Sequence, residues 1–285
     1  MKIHFTILMF LTLLACAYRK EPGEEGAAKH RLPYDLSDPV KFFMPNILHE
    51  ISGIAFSNSD DTIYAEQDEE GILFRFVPST QNIIQSKFGK KGDYEDVAIC
   101  HNNVIMLRSD GTLYTFPLAE VNGKHITGTR EWASLLPSGE YEGLYADESA
   151  NKLYVLCKHC SDENTSKEGG GSVLNIDAAG NISAAGSFDI NIRQIEKASG
   201  EKKIGFHPSG LSKNKLTGEW YILSSVNKML VVADSAWQVK EVYDLNPATF
   251  VQPEGIAFDS KNNLYISNEG STTSSGNILK FIYKP

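Results

Sequence analysis

The sequence predicts an all-β chain folded as a five-bladed β-propeller, and three observations predict it. One short phrase recurs five times, as EISGIAF, YEDVAIC, YEGLYAD, HPSGLSK and PEGIAFD. Superposed, the phrases bring Gly53, Asp96, Gly143, Gly210 and Gly255 into register with gaps of 43, 47, 67 and 45 residues, the spacing of propeller blades. Behind each phrase come further short segments dominated by Tyr, Ile, Val, Leu and Phe and punctuated by Asn, Asp, Gly and Ser. That is the pattern of short antiparallel strands, not of helices.

Taken in order, each phrase is the first strand of a blade. Second strands follow in TIYAEQD, VIMLRSD, KLYVLCK, EWYILSS and NLYISNE, and third strands in ILFRFV, TLYTFP, SVLNID, MLVVAD and NILKFIY. Fourth strands are expected near Asn82 to Phe88, His125 to Trp132, Ile182 to Phe188 and Gln238 to Leu245. The fifth repeat has none before Pro285, and an unpaired last edge would expose a row of backbone donors and acceptors. The extended segment Arg31 to Leu36 is therefore expected to close the ring as an N-terminal strand of the last blade. Two polar loops, Ser161 to Gly171 and Gln194 to Gly205, would absorb the gap of 67 residues, and the alternative is a six-bladed ring with a degenerate blade there.

The same segments, in the same order, resemble the SdiA-regulated family of bacterial propeller proteins, distantly NHL-repeat-like, over about Leu32 to Tyr283. The resemblance carries on EISGIAF with YAEQDEEG, YEDVAI with LRSDGTLY, YEGL, PSGL with ILSSVNKMLVVAD, and PEGIAFD with NLYISNEG. It implies five blades and a calcium ion near the axis, but no biochemical activity.

At the amino terminus, Lys2, the apolar run Phe5 to Leu14 and Ala15-Cys16 read as a signal peptide over residues 1–15. Leu13, Leu14, Ala15 and Cys16 resemble a bacterial lipobox, so Cys16 is expected to carry acyl chains that tether the protein to a membrane. Residues 16–30 suit a flexible tether and 31–285 form the propeller. The expected location is exported and lipid-anchored to a bacterial membrane, at the outer membrane or cell surface. A net charge of −9 argues against sequence-independent nucleic-acid binding.

In a propeller, first strands line the axis and their starts lie beside the ends of the second strands. This places Glu95, Glu142 and Glu254 at three equivalent strand starts and Ser52 and Ser209 at the other two. Asp68, Asp110 and Glu269 end second strands on or near the same face, whereas Glu50 is not expected at the axis. Converging carboxylates either rise in pKa or are neutralised by a cation, and calcium accepts six to eight oxygens in loose geometry. The spacing leaves open a second reading, in which these Glu and Ser side chains bond neighbouring backbone and fix blade to blade. The family resemblance implies the ion, with Glu95, Glu142 and Glu254 on the matching positions.

Cys157 and Cys160 enclose Lys158 and His159 and are read as a plain loop or local disulfide, with zinc disfavoured. Trp132, Trp220 and Trp237 are read as blade packing. Gly169 to Gly171 lack a following helix and a Lys-Ser pair, so they make no phosphate loop, and no Gly-x-Ser-x-Gly elbow occurs. The favoured function is a lipid-anchored, non-enzymatic binding or scaffold module for an unidentified protein or small ligand, with axial calcium. The alternative is a calcium-dependent lactonase or esterase in which His207 or His49 would be the base.

Overall fold

The structure is a computed structural model that describes residues 32–57, 61–80, 82–160 and 168–285. The expected signal peptide, lipidated Cys16 and tether fall outside the described residues. Five antiparallel four-stranded sheets succeed one another along the chain. The first holds β2 (Ile51–Phe56), β3 (Ile63–Gln67), β4 (Ile72–Phe76) and β5 (Ile84–Lys87). The second holds β6 (Tyr94–Cys100), β7 (Asn103–Arg108), β8 (Leu113–Pro117) and β9 (Arg130–Trp132). The third holds β10 (Gly139–Asp147), β11 (Lys152–Cys160), β12 (Glu168–Ile176) and β13 (Ile182–Asn191). The fourth holds β14 (Gly210–Lys213), β15 (Trp220–Ser224), β16 (Met229–Ala233) and β17 (Val239–Asp244). The fifth holds β18 (Pro253–Phe258), β19 (Leu264–Asn268), β20 (Asn277–Phe281) and, from the other end of the chain, β1 (Val40–Phe43). First strands touch in the cyclic order β2, β6, β10, β14, β18 and back to β2, so five blades close without a sixth.

Strand alternation explains why the middle strands are apolar throughout. In β15 and β16, Trp220, Ile222, Met229, Val231 and Ala233 pack toward blade three. Tyr221, Leu223, Leu230 and Val232, the residues between them, pack toward blade five. A period of two thus serves two interfaces at once, and neither face is left to water. The outermost β17 holds only half-buried and exposed residues, as a rim strand should. The core is accordingly five wedges, one between each adjacent pair of blades. Trp220 and Trp237 stack at 4.2 Å, and Trp237 stacks on Phe188 at 4.0 Å, inside the wedge between blades three and four. Trp132 reaches Thr115 Oγ1 with its indole N–H at 2.8 Å.

Three expectations shift. The closing strand is Val40–Phe43, paired with Asn277 to Lys280, and not Arg31 to Leu36. Tyr34, 5 % exposed, is drawn instead into the wedge between blades four and five, where its hydroxyl donates to Asn262 O at 2.9 Å. Residues 168–171 belong to β12 and are strand, not loop. Their glycines leave room for neighbours that a side chain would meet: a Cβ on Gly171 would stand 2.0 Å from Val155 O. Residues 192–199 form the helix α1 (Ile192–Ser199), capped where Asn191 Oδ1 accepts from Arg193 N and ended at Gly200, whose φ is 80°. Ile192 and Ile195, three apart on one face, anchor it to the wedge between blades three and four.

Candidate functional site

Each inner strand begins on the same face, and there the sequence repeat becomes a cavity of about 550 Å³. Glu95, Glu142 and Glu254 line it from the starts of β6, β10 and β18. Ser52 and Ser209 line it from the other two blades, and Asp68 and Glu269 from beyond the ends of β3 and β19. Burial pushes all three glutamates up: Glu95 next by the charge on Glu142, Glu142 against a hydrogen bond from Lys158, and Glu254, by Glu142 and Glu269, to about 8. Burial, then Glu50 and Glu269, pushes Asp68 up to about 7. A carboxyl in such surroundings is held between protonation and capture of a cation.

Below the carboxylates, the two serines do what the second reading of the repeat expected. Ser52 Oγ donates to Glu95 O at 3.0 Å and Ser209 Oγ donates to Pro253 O at 2.8 Å, each stitching a blade to the next. Ser267 Oγ donates to Ser52 O at 2.5 Å across the closure of the ring. Asp96, 4 % exposed, stands where the other repeats have glycine; it accepts from Val97 N at 2.8 Å and from Leu144 N of the next blade at 2.7 Å. The room comes from Gly53 opposite, where a Cβ would lie 2.4 Å from Asp96 Cα. Glu66, fully buried on β3, accepts from Gly53 N at 2.6 Å, while its second oxygen has no partner. Ser267 takes the equivalent amide, Gly255 N, at 2.8 Å.

The most prominent departure from an all-acid ring is Lys158 of β11. Its ammonium lies 2.7 Å from Glu142 Oε1 and 3.1 Å from Glu140 Oε1, both at the cavity wall. Beside it, His159 Nδ1 is 2.7 Å from Glu140 Oε2. Cys157 and Cys160 are joined in a disulfide, and Cys100 is buried and free.

A family model described as SdiA-regulated matches residues 181–272. Over that stretch the chain is similar to the SdiA-regulated family. The match spans the last strand of blade three, blade four and the first two strands of blade five, and so takes in His207, Ser209, Glu254 and Glu269. No curated protein matches the sequence. Among solved structures, glutaminyl cyclase of Myxococcus xanthus aligns over 85 % of this chain and 96 % of its own, with 13 % identity and a TM-score of 0.54. Regucalcin of Agrobacterium tumefaciens, described as a calcium-binding protein, aligns over 85 % and 98 %, with 12 % identity and a TM-score of 0.51. The PQQ-bound aldose sugar dehydrogenase of Streptomyces coelicolor aligns over 86 % and 98 %, with 12 % identity and a TM-score of 0.53. At such identities the likeness is one of fold, and three different chemistries on one fold leave function to the site.

Two residues expected at the site, Asp110 and His49, are not among those lining the cavity. Asp110 turns outward, its oxygens 3.0 and 2.6 Å from Arg108 Nε and Nη2, and the pair keeps its carboxyl low, at about 2. His49 lies beside the cavity's edge, Nε2 3.2 Å from Ser271 O, with Gly270 packed against its ring. His207 does line the cavity, its ring 5.0 Å from that of His159. Glu50 lines it too, as do Asp93, Lys158 and Lys228, which the repeat did not mark. Lys158 had one usable signal: it lies on the strand that the hairpin folds back against the acidic start of β10.

Proposed function

We propose that the protein is a lipid-anchored binding module of the bacterial cell envelope whose axial cavity takes calcium. One observation carries this reading: three glutamates at equivalent strand starts share one cavity, where burial raises all three and the charge on Glu142 raises Glu95 and Glu254 further. The donor chemistry suits a hard cation, because Glu95, Glu142 and Glu254 offer only oxygen. Asp68 Oδ1, buried and without a hydrogen-bond partner on the same wall, suits it as well. As placed, no three His, Cys, Asp or Glu side chains among the described residues stand close enough to hold a metal. Calcium would therefore draw Glu95, Glu142 and Glu254 inward, and what it would supply is neutralisation of their charge and stiffness across three blades. The calcium-binding description of regucalcin, on the same fold, is consistent with this. The lipobox-like Leu13 to Cys16 supports the tether, and the open mouth leaves the cavity free for an unidentified protein or small ligand.

The test is thermal melting of the purified chain in calcium, in magnesium and in chelator. Calcium is expected to raise the melting temperature, since a ligand of the native state adds about 2.7 kcal/mol at a hundred times its dissociation constant. Magnesium, which demands a stricter octahedron, is expected to do less. Equal melting in calcium and chelator would remove the ion from the proposal. The tether is checked by Cys16→Ser, expected to move the protein out of the membrane fraction.

A further inference from the structure

We infer that Lys158 is a built-in counter-ion that occupies the cation's place on Glu142 and sets how tightly the cavity binds a divalent cation. The inference rests on the calcium reading and concerns the competition at that same site. Its ground is geometric. The ammonium of Lys158 is 2.7 Å from an oxygen of Glu142, whose side chain is only 8 % exposed. The same ammonium is 3.1 Å from Glu140, so it spans two carboxylates of β10. A cation cannot take that oxygen of Glu142 while an ammonium sits at hydrogen-bond distance from it, and breaking a buried pair without replacing it is costly. Divalent-cation binding is thus an exchange, in which Lys158 leaves as the ion arrives.

The local chain holds Lys158 in that place. The residues on either side of Lys158 and His159 are the bridged Cys157 and Cys160, so the two side chains sit on a short closed loop. The bridge lies over Gly139 at the start of β10, where a Cβ would stand 3.2 Å from Cys160 Sγ and 3.4 Å from Cys157 Sγ. The end of β11 is thereby braced against the strand that carries Glu140 and Glu142. His159 takes the far oxygen of Glu140 at 2.7 Å, which leaves Lys158 directed between the two glutamates. Each of the other two ring glutamates, Glu95 and Glu254, lacks a Lys or Arg ion-pair partner among the described salt bridges. The ring is therefore asymmetric, with one ligand position masked.

Calorimetric titration of calcium into the wild-type chain, Lys158→Met and Lys158→Arg tests this. Lys158→Met is expected to bind calcium at least about tenfold more tightly, because one positive charge no longer opposes the ion at short range. Lys158→Arg, which keeps the charge, is expected to bind as the wild type does. In chelator, Lys158→Met is expected to melt below the wild type, because buried Glu142 loses its one ammonium partner. Should Lys158→Met not fold, Lys158→Gln is titrated in its place against the same criteria. Equal calcium affinity for wild type and Lys158→Met overturns the inference and leaves the calcium reading standing. Binding by Lys158→Met alone supports the inference and overturns the calcium reading for the native chain. No binding by any of the proteins overturns both.

Discussion

Asp96 shows how one side chain can replace what glycine does elsewhere in a repeat. Four blades have glycine at this position, where backbone meets backbone; the second has a buried carboxylate that joins its own strand to the next blade. Asp96→Asn keeps the shape but turns one acceptor into a donor facing an amide. One N–H is then left buried and unpaired, at a cost of about 1–3 kcal/mol. A urea or thermal melt should place the variant several degrees below the wild type, and an unchanged midpoint would show that the two amides find other partners. The repeat made the first-strand positions readable, because Glu95, Glu142 and Glu254 recur in register. It could not mark Glu66 or Lys158. Glu66 does for Gly53 what a serine does for Gly255, so the task repeats while the residue does not. Lys158 acts by facing β10 across a hairpin, a relation that register along the chain does not express.

At the scale of the element, β1 is what makes the ring a ring. It lays Val40, Lys41, Phe42 and Phe43 against Lys280, Leu279, Ile278 and Asn277, and without it β20 would present an open edge. Sequence pattern required a closing strand but placed it at Arg31 to Leu36, an extended segment in which Tyr34 signals burial. Tyr34 owes that signal to packing against Tyr221, Phe258 and Tyr283 rather than to strand pairing. The helix α1 escaped for a related reason: eight residues with two buried isoleucines make a faint periodicity inside a polar stretch. Two truncations separate the roles. A chain beginning at Ser37 loses the Tyr34 packing and should melt lower without a change in its state of association. A chain beginning at Met44 also bares the β20 edge and should self-associate with rising concentration in analytical ultracentrifugation. Association by the first truncation alone would return the closing role to the earlier segment.

For the whole molecule, the consequence of gathering acid at one end of the axis is a stability that depends on pH in the direction opposite to ordinary surface carboxylates. A carboxyl with a folded pKa above its unfolded value stabilises the fold below that unfolded value, and the contribution is lost as pH rises through the folded pKa. Glu254, pushed up to about 8, and Asp68, pushed up to about 7, both behave this way, and burial moves Glu95, Glu142 and Glu269 in the same direction. Lys158 and Lys228 face the same cavity and offset part of the repulsion, and His207 lines it as well. Carboxyls held low by partners, such as Asp110 at about 2 and Glu140 beside His159 and Lys158, lose their contribution only as pH falls below the ordinary carboxylate range. Between about pH 5 and pH 8 the raised group therefore dominates, and a single buried carboxyl such as Glu254 costs up to about 1.4 kcal/mol per pH unit over the window it spans. In chelator, the melting temperature should fall steadily from pH 5 to pH 8. With calcium present it should fall less, because a cation bound to the ionised ring stabilises the form that high pH favours. A chelated protein as stable at pH 8 as at pH 5 would mean that the cavity's carboxylates are already neutralised by groups of the chain itself, with Lys158 the first to examine.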